Sequence, residues 1–201
     1  MNEANQLSLS VQYASNAKKL PTRSQFRRWV KVALEQDVQM VLRIVNEVEG
    51  RALNLSYRGK DYATNVLTFV YDDAQPRRGG VEPSDETTSH STRPSKSAGQ
   101  VAGYGAGGAA ERLLPQAAAF DSNVSQSLPL YGDVVICAPV VAREAKEQGK
   151  DLLAHYAHLT IHAALHLQGY DHEKKRDAEK MEARETALML KLRYPAPYLI
   201  S

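Results

Sequence analysis

Features that would place a chain in a specialised class are scarce in these 201 residues. The one cysteine, Cys137, excludes an internal disulfide, and its position in the apolar run from Val134 to Cys137 is typical of a buried strand. No apolar stretch is long enough for a membrane-spanning helix, and residues 1–10 lack the basic and apolar regions of a signal peptide. We therefore expect a cytoplasmic protein without a membrane partner.

An excess of charge of one sign is also missing from the chain as a whole. The formal net charge is +2, so the distribution of charge is more informative than the total. Six basic residues and no acidic one lie between Ala4 and Leu34. Four of them share the polar face of a predicted helix: Arg23, Arg27, Arg28 and Lys31. They form either a solvated helix face or a surface that contacts phosphates, and the sequence leaves both interpretations open.

Apolar β-branched residues are rare in the middle of the chain. Seven of the 12 glycines lie between Gly79 and Gly108, whereas residues 72–112 contain two β-branched aliphatic residues, Val81 and Val101. Such a composition buries too little apolar surface to offset the entropy of ordering. We predict that residues 74–127 are a disordered low-complexity insertion between strands three and four, and that residues 1–73 and 128–201 form one domain.

The remainder predicts an α+β domain, with a mixed sheet of about four strands packed against about five helices. Alternating or continuous apolar residues predict strands at 7–13, 38–45, 66–71 and 133–137, of which the first two form a parallel pair. Helix signals predict five helices, which begin at the caps Thr22, Asn46 and Asp151, at Pro139 and at residue 174.

Apolar spacing also predicts which helix faces are buried. In the helix after Asn46 the residues expected to face the core are Val48, Ala52 and Leu55. In the last helix they are Met181, Leu188 and Leu192.

Three histidines near the end of the helix that Asp151 caps have the spacing of a metal site: His162, His166 and His172. The first two are four residues apart on one helix face, with Cβ atoms about 6 Å apart, so both can reach one ion at about 2.0 to 2.1 Å. Gly169 can adopt the left-handed conformation that ends helices and returns His172 toward them. We predict a metal site, since three unrelated polar residues would not explain the glycine at the turn.

Other polar residues near this site need separate roles. His155 lies about 10 Å along the helix axis from His162, which is too far for a shared ion. His158 shares the helix face, but His172 returns to the opposite end, so we expect His158 to be a core residue or to support a ligand. Asp171 either orients a ligand imidazole or solvates the helix end, and both interpretations stay open.

The histidine spacing matches the metzincin pattern His-Glu-x-x-His-x-x-Gly-x-x-His, whose glutamate is the general base of a zinc protease. Ala163 occupies that position here. Three neutral ligands leave an open position, which suits a catalytic metal. A metalloprotease is therefore an alternative that Ala163 opposes.

Residues 162–172 also resemble the signature His-Gly-x-Leu-His-Leu-x-Gly-Tyr-Asp-His of the YbeY-type endoribonucleases, from which Ala163 is the one departure. The resemblance continues, in the family's order, at residues 53–54, 57–61, 64–69 and 132–137. Ala63 and Val70 stand where the family usually has prolines, which affects local loop shape. Residues 74–127 match nothing in the family pattern.

The resemblance implies a single-strand-specific, metal-dependent endoribonuclease that acts in ribosomal RNA maturation and ribosome quality control. Its implied partners are ribosomal RNA and ribosomal particles, not DNA, and its implied cofactor is one Zn²⁺ per chain. The implied catalytic residues are the three histidine ligands and Arg58, which would bind the scissile phosphate. The basic residues from Arg23 to Lys31 become RNA-binding candidates. A non-catalytic, ribosome-associated metal-binding protein is a further alternative.

Overall fold

Nine helices and strands make up the part of the chain that the computed structural model describes, residues 5–71 and 129–198. In chain order they are β1 (Leu7–Tyr13), α1 (Arg23–Ala33), β2 (Val38–Val45), α2 (Glu47–Arg58), β3 (Val66–Tyr71), β4 (Leu130–Cys137), α3 (Ala138–Glu147), α4 (Leu152–Leu167) and α5 (Lys175–Lys191). Residues 74–127, predicted to be an insertion, lie outside the described residues. Within the described ranges, no helix reaches the length and apolarity of a membrane span.

The four strands form one mixed sheet in the order β1-β2-β4-β3. β1, β2 and β4 are parallel neighbours, and β3 runs antiparallel to β4 with Phe69 opposite Asp133. β4 begins at Leu130, three residues earlier than predicted. The predicted α+β class, the mixed sheet and the parallel first pair are confirmed.

The main core lies between one face of the sheet and helices α1, α4 and α5. α4 occupies its centre, and 11 of its 16 residues are buried, which is typical of a helix surrounded by other elements. Phe26 of α1 packs edge-on against Trp29 and against Tyr156 of α4, with ring centroids 5.4 and 6.5 Å apart. The helix that carries the histidine motif is therefore held on several sides.

Three of the five predicted helix starts, Thr22, Asn46 and Asp151, are confirmed by capping bonds. Thr22 and Gln25 form a reciprocal capping box at α1. The Asn46 side chain accepts a hydrogen bond from the Glu49 N–H at 2.9 Å, and Asp151 accepts one from the Ala154 N–H at 2.8 Å.

The predicted buried face of α2 is wrong. Val48 is 80% exposed and Leu55 48% exposed, and Ala52 is exposed as well. The helix instead turns Gly50 and Asn54 inward. A Cβ atom at Gly50 would lie 3.0 Å from Cys137 Sγ, and Asn54 Nδ2 donates to the Tyr62 carbonyl at 2.7 Å. Close approach to β4 and a satisfied polar contact therefore decide the orientation, not the apolar stripe.

Candidate metal centre

The end of α4 turns the chain so that His172 returns toward the helix. Gly169 has φ +87°, a left-handed conformation that glycine adopts without strain. Its N–H donates to the His166 carbonyl at 3.1 Å, and the Tyr170 N–H donates to the Leu165 carbonyl at 3.1 Å. These two bonds form a Schellman motif, which confirms the predicted turn.

The three predicted ligands converge after this turn. His162 Nε2 and His166 Nε2 lie 3.0 Å apart, and the His172 ring lies 5.5 and 4.9 Å from the other two rings by centroid. One ligand atom from each histidine can be chosen so that all lie within 4.8 Å of one another. Nitrogens bound tetrahedrally to one zinc ion lie about 3.3 Å apart, so the arrangement has the dimensions of a single-ion site.

Hydrogen bonds on the far side of two rings fix which nitrogen carries the proton. His166 Nδ1 donates to the Tyr170 carbonyl at 2.8 Å, and His162 Nδ1 donates to Glu185 Oε1 at 2.7 Å. In the neutral form of each ring the proton therefore lies on Nδ1, and the two Nε2 lone pairs face each other at 3.0 Å. Two lone pairs at that distance repel unless a positive charge lies between them, so these residues fit a cation.

Burial favours the neutral form of His166, and hydrogen bonds favour the charged form of Glu185. Burial lowers the pKa of His166, and the neighbouring His162 lowers it further. Burial alone would raise the pKa of Glu185, but hydrogen bonds from His158, His162 and Tyr198 outweigh it and hold this pKa at about 2. At neutral pH an ionised carboxylate of Glu185 therefore accepts the hydrogen bond from His162 Nδ1.

Glu185 was not identified from the sequence, although a signal was present. It lies four residues after Met181 and three before Leu188 on α5, in the stripe that was predicted to face the core. That stripe is confirmed, since Met181, Leu188 and Leu192 are buried. Glu185 is 0% exposed. A charged residue in phase with a buried stripe needs a buried partner, and this requirement points to a polar site.

A family model described as "Endoribonuclease YbeY" matches residues 9–193. The chain belongs to the endoribonuclease YbeY family. It is 44% identical over 193 residues to an endoribonuclease YbeY of Nitrosospira multiformis, covering 96% of this chain and 82% of the relative. It is 42% identical over 195 residues to one of Nitrosomonas europaea, covering 97% of this chain and 87% of the relative. A Thermotoga maritima protein with a solution structure aligns at a TM-score of 0.45 and 21% identity over 92% of this chain and 91% of that chain.

Asp171, which is part of the sequence that resembles the YbeY signature, accepts hydrogen bonds from backbone N–H groups. Asp171 Oδ1 accepts from the N–H groups of His172 and Glu173, at 2.7 and 3.3 Å. The Nδ1 atoms of His162 and His166 have other partners. Asp171 therefore caps the backbone turn after α4 and contacts neither of these two rings.

His158 does not face the three predicted ligands directly. Its Nε2 donates to Glu185 Oε2 at 3.1 Å, so it contacts the carboxylate that supports His162. His155 lies further along the helix, and its Nε2 donates to Glu144 Oε2 at 3.0 Å.

Arg58, nominated by the YbeY resemblance, lies exposed in the last turn of α2. The ring of the preceding Tyr57 contacts Phe69 of β3, with centroids 4.8 Å apart. The Phe69 carbonyl borders the contact between Gly132 of β4 and Leu167 at the end of α4. Among the described residues, no hydrogen bond joins Arg58 to the histidines.

The four basic residues of α1 are all exposed, but two of them contact the neighbouring strand. Arg23 Nε donates to the Val11 carbonyl at 3.4 Å, and an Arg27 Nη donates to the Leu7 carbonyl at 3.3 Å. β1 is an edge strand, so these arginines cover carbonyls that would otherwise lack a strand partner. Arg28 and Lys31 point to solvent from the same helix.

Proposed function

We propose that this endoribonuclease cleaves single-stranded RNA in ribosomal RNA maturation and ribosome quality control, with one Zn²⁺ held by His162, His166 and His172. The observation that carries the metal site is the 3.0 Å approach of His162 Nε2 to His166 Nε2, with the Nδ1 of each ring on an acceptor and His172 beside them. Family membership supplies the reaction, and ribosomal RNA and ribosomal particles are the proposed partners. We propose the cytoplasm as the location, because that is where bacteria hold these particles.

The donor set favours zinc among the common ions. Three imidazole nitrogens suit zinc and other late transition metals, whereas magnesium and calcium prefer oxygen ligands. Three protein ligands also leave one tetrahedral position for water or substrate. When bound, such an ion polarises a phosphodiester oxygen or activates water.

The chain's own residues hold and orient this centre. Glu185 and the Tyr170 carbonyl hold the protons of His162 and His166 on Nδ1, so the Nε2 atoms stay available. Ala163 is fully buried and faces the core, so it supplies no base. Stabilisation of charge on the phosphate must then come from the ion and from a nearby cation.

Arg58 is the cation that we propose for the scissile phosphate. Its guanidinium can form two parallel hydrogen bonds to a phosphate. It is exposed, and it follows Tyr57, whose ring contacts Phe69 of β3. The exposed Arg28 and Lys31 of α1 are proposed to contact RNA phosphates away from the cleavage point. Arg23 and Arg27 are candidates for the same role, although each also donates a hydrogen bond to a carbonyl of β1.

The test compares metal content and RNA cleavage in wild type, His166→Ala and His155→Gln. We expect about one zinc ion per chain in wild type and in His155→Gln, and neither metal nor cleavage in His166→Ala. Ribosomal RNA and casein serve as alternative substrates. Casein cleavage would favour the metalloprotease, and metal binding without cleavage of either substrate would favour the non-catalytic protein. Equal metal content in wild type and His166→Ala would refute the ligand assignment.

A further inference from the structure

A group of polar side chains lies directly behind His162, on the side away from the other ligands. Its centre is Glu185, which is 0% exposed. Oε1 of Glu185 accepts from His162 Nδ1 at 2.7 Å. Oε2 accepts from His158 Nε2 at 3.1 Å and from the Tyr198 hydroxyl. Both oxygens of one buried carboxylate are therefore occupied.

A carboxylate is an unusual residue to find fully buried on the core face of α5. Burial disfavours a carboxylate that lacks partners, and apolar residues are the usual occupants of a buried helix face. Glu185 instead interrupts the stripe between Met181 and Leu188 and collects three donors. One of those donors is a proposed metal ligand, so the carboxylate acts on that ligand as well as on the fold.

The hydrogen bond to Glu185 sets which nitrogen of the neutral His162 ring carries the proton. Without an acceptor at Nδ1, the neutral ring can carry its proton on Nε2, which would point an N–H at His166. The Glu185 carboxylate keeps the proton on Nδ1 and also makes the ring a stronger ligand. His166 receives only a neutral backbone carbonyl at the equivalent position. Glu185 is therefore the one negative charge that hydrogen-bonds to a ligand ring among the described residues.

The segment after α5 takes part through Tyr198. Besides donating to Glu185, the Tyr198 ring contacts the His158 ring edge-on, with centroids 5.4 Å apart. It also borders a cavity of about 270 Å³ that His162 and His172 line. The Tyr198 hydroxyl and His158 together fix the carboxylate from the side opposite to His162.

We infer that Glu185, held by His158 and Tyr198, is a positioning residue that sets the affinity of the three-histidine site for its metal ion. The C-terminal segment is thereby part of the metal centre. The inference rests on the proposed function, because it requires that the histidines bind a metal.

The test measures zinc affinity by competition with a chromogenic chelator, together with thermal unfolding of each metal-free variant. Glu185→Leu removes the acceptor, and we expect affinity to fall about 10- to 100-fold. Glu185→Gln keeps an acceptor without the charge, so its affinity should lie between Glu185→Leu and wild type. Tyr198→Phe removes one donor and should weaken zinc binding by less than Glu185→Leu. Glu182→Gln is the matched control, because Glu182 lies on the same helix and lines the same cavity but is exposed, and it should bind as wild type does.

A second measurement separates positioning from folding. NMR of the ring nitrogens in the metal-free protein should find His162 protonated on Nδ1 in wild type and Glu182→Gln, and a mixture of tautomers in Glu185→Leu. If wild type binds no zinc, the proposed metal site itself fails. If wild type binds zinc and Glu185→Leu binds it equally well, the inference is overturned while the site stands. Should Glu185→Leu not fold, Tyr198→Phe decides, and an unchanged affinity in that variant overturns the inference.

Discussion

Gly132→Ala tests how closely the histidine helix is seated on the sheet. A Cβ atom at this position would lie 2.2 Å from Leu167 Cδ2 and 2.5 Å from the Phe69 carbonyl oxygen. Leu167 can rotate, but the Phe69 carbonyl belongs to the backbone of β3, the neighbour of β4 in the sheet. One of the two contacts is therefore relieved only by moving a strand.

The expected loss of stability follows from these contacts. Overpacking of this kind costs about 1–3 kcal/mol, whereas a Gly-to-Ala change at an unstrained site would gain about 0.4–1 kcal/mol. The net loss should lower the melting temperature by about 2–4 °C per kcal/mol in a protein of this size. Leu167 follows the proposed ligand His166, so displacement of the end of α4 should also weaken zinc binding.

The assay is thermal unfolding with chelator competition on Gly132→Ala, Leu167→Ala and the double variant. Coupling between the two positions of about 0.5–3 kcal/mol is expected, because the side-chain part of the clash disappears in the double variant. Val70→Ala is the control, since Val70 lies opposite Gly132 on β3 and is 47% exposed. If Gly132→Ala melts at or above the wild-type temperature with unchanged zinc affinity, the close approach does not position the site.

Three further predictions concern the phosphate contact, the insertion and pH. Arg58→Ala should slow single-turnover cleavage at saturating RNA by about 10² to 10³, with metal content unchanged. The control, Arg28→Ala with Lys31→Ala, should instead weaken RNA binding and its salt dependence. A wild-type cleavage rate for Arg58→Ala at saturating RNA would exclude a catalytic role. Replacing residues 76–126 by a short Gly/Ser linker should preserve cooperative unfolding, because Tyr71 and Tyr131 are already paired neighbours on β3 and β4. Loss of cooperative unfolding would contradict this prediction. Burial lowers the pKa of His155 from 6.5, so the unfolded chain binds the proton more readily. The unfolding free energy of the metal-free protein should therefore fall as the pH drops below about 6.5, and His155→Gln should reduce that slope by up to about 1.4 kcal/mol per pH unit, as measured by urea denaturation at several pH values.

Local signals explain why much of the fold was predictable. Thr22, Asn46 and Asp151 cap helices through their own side chains, and Gly169 ends α4 through its own backbone conformation. Each of these depends on residues within a few positions in the chain. The same holds for the spacing of the ligand histidines, which is why the metal site could be proposed before its geometry was known.

Contacts between distant parts of the chain account for what was missed. The face of α2 is set by Gly50 against Cys137, a contact across 87 residues that apolar periodicity does not encode. Glu185 is a partner of His162 only because α5 packs beside α4. Arg27, a candidate for RNA binding, also donates to the Leu7 carbonyl, which is a contact that the sequence does not reveal. In each case a polar or small residue contacts a partner that is distant in the sequence.

The metal centre and the core share one helix, and this arrangement divides the roles of its residues. The buried face of α4 includes Tyr156, Ile161 and Leu165, and it fixes the helix against the sheet and against α1. On the face that carries the proposed ligands, single hydrogen bonds then orient the rings, from His166 to the Tyr170 carbonyl and from His162 to Glu185. Loss of a ligand should therefore remove the metal at little cost to the core, whereas loss of the packing beneath Leu167 should affect both stability and metal affinity. A site built on a surface loop would not couple the two quantities in this way.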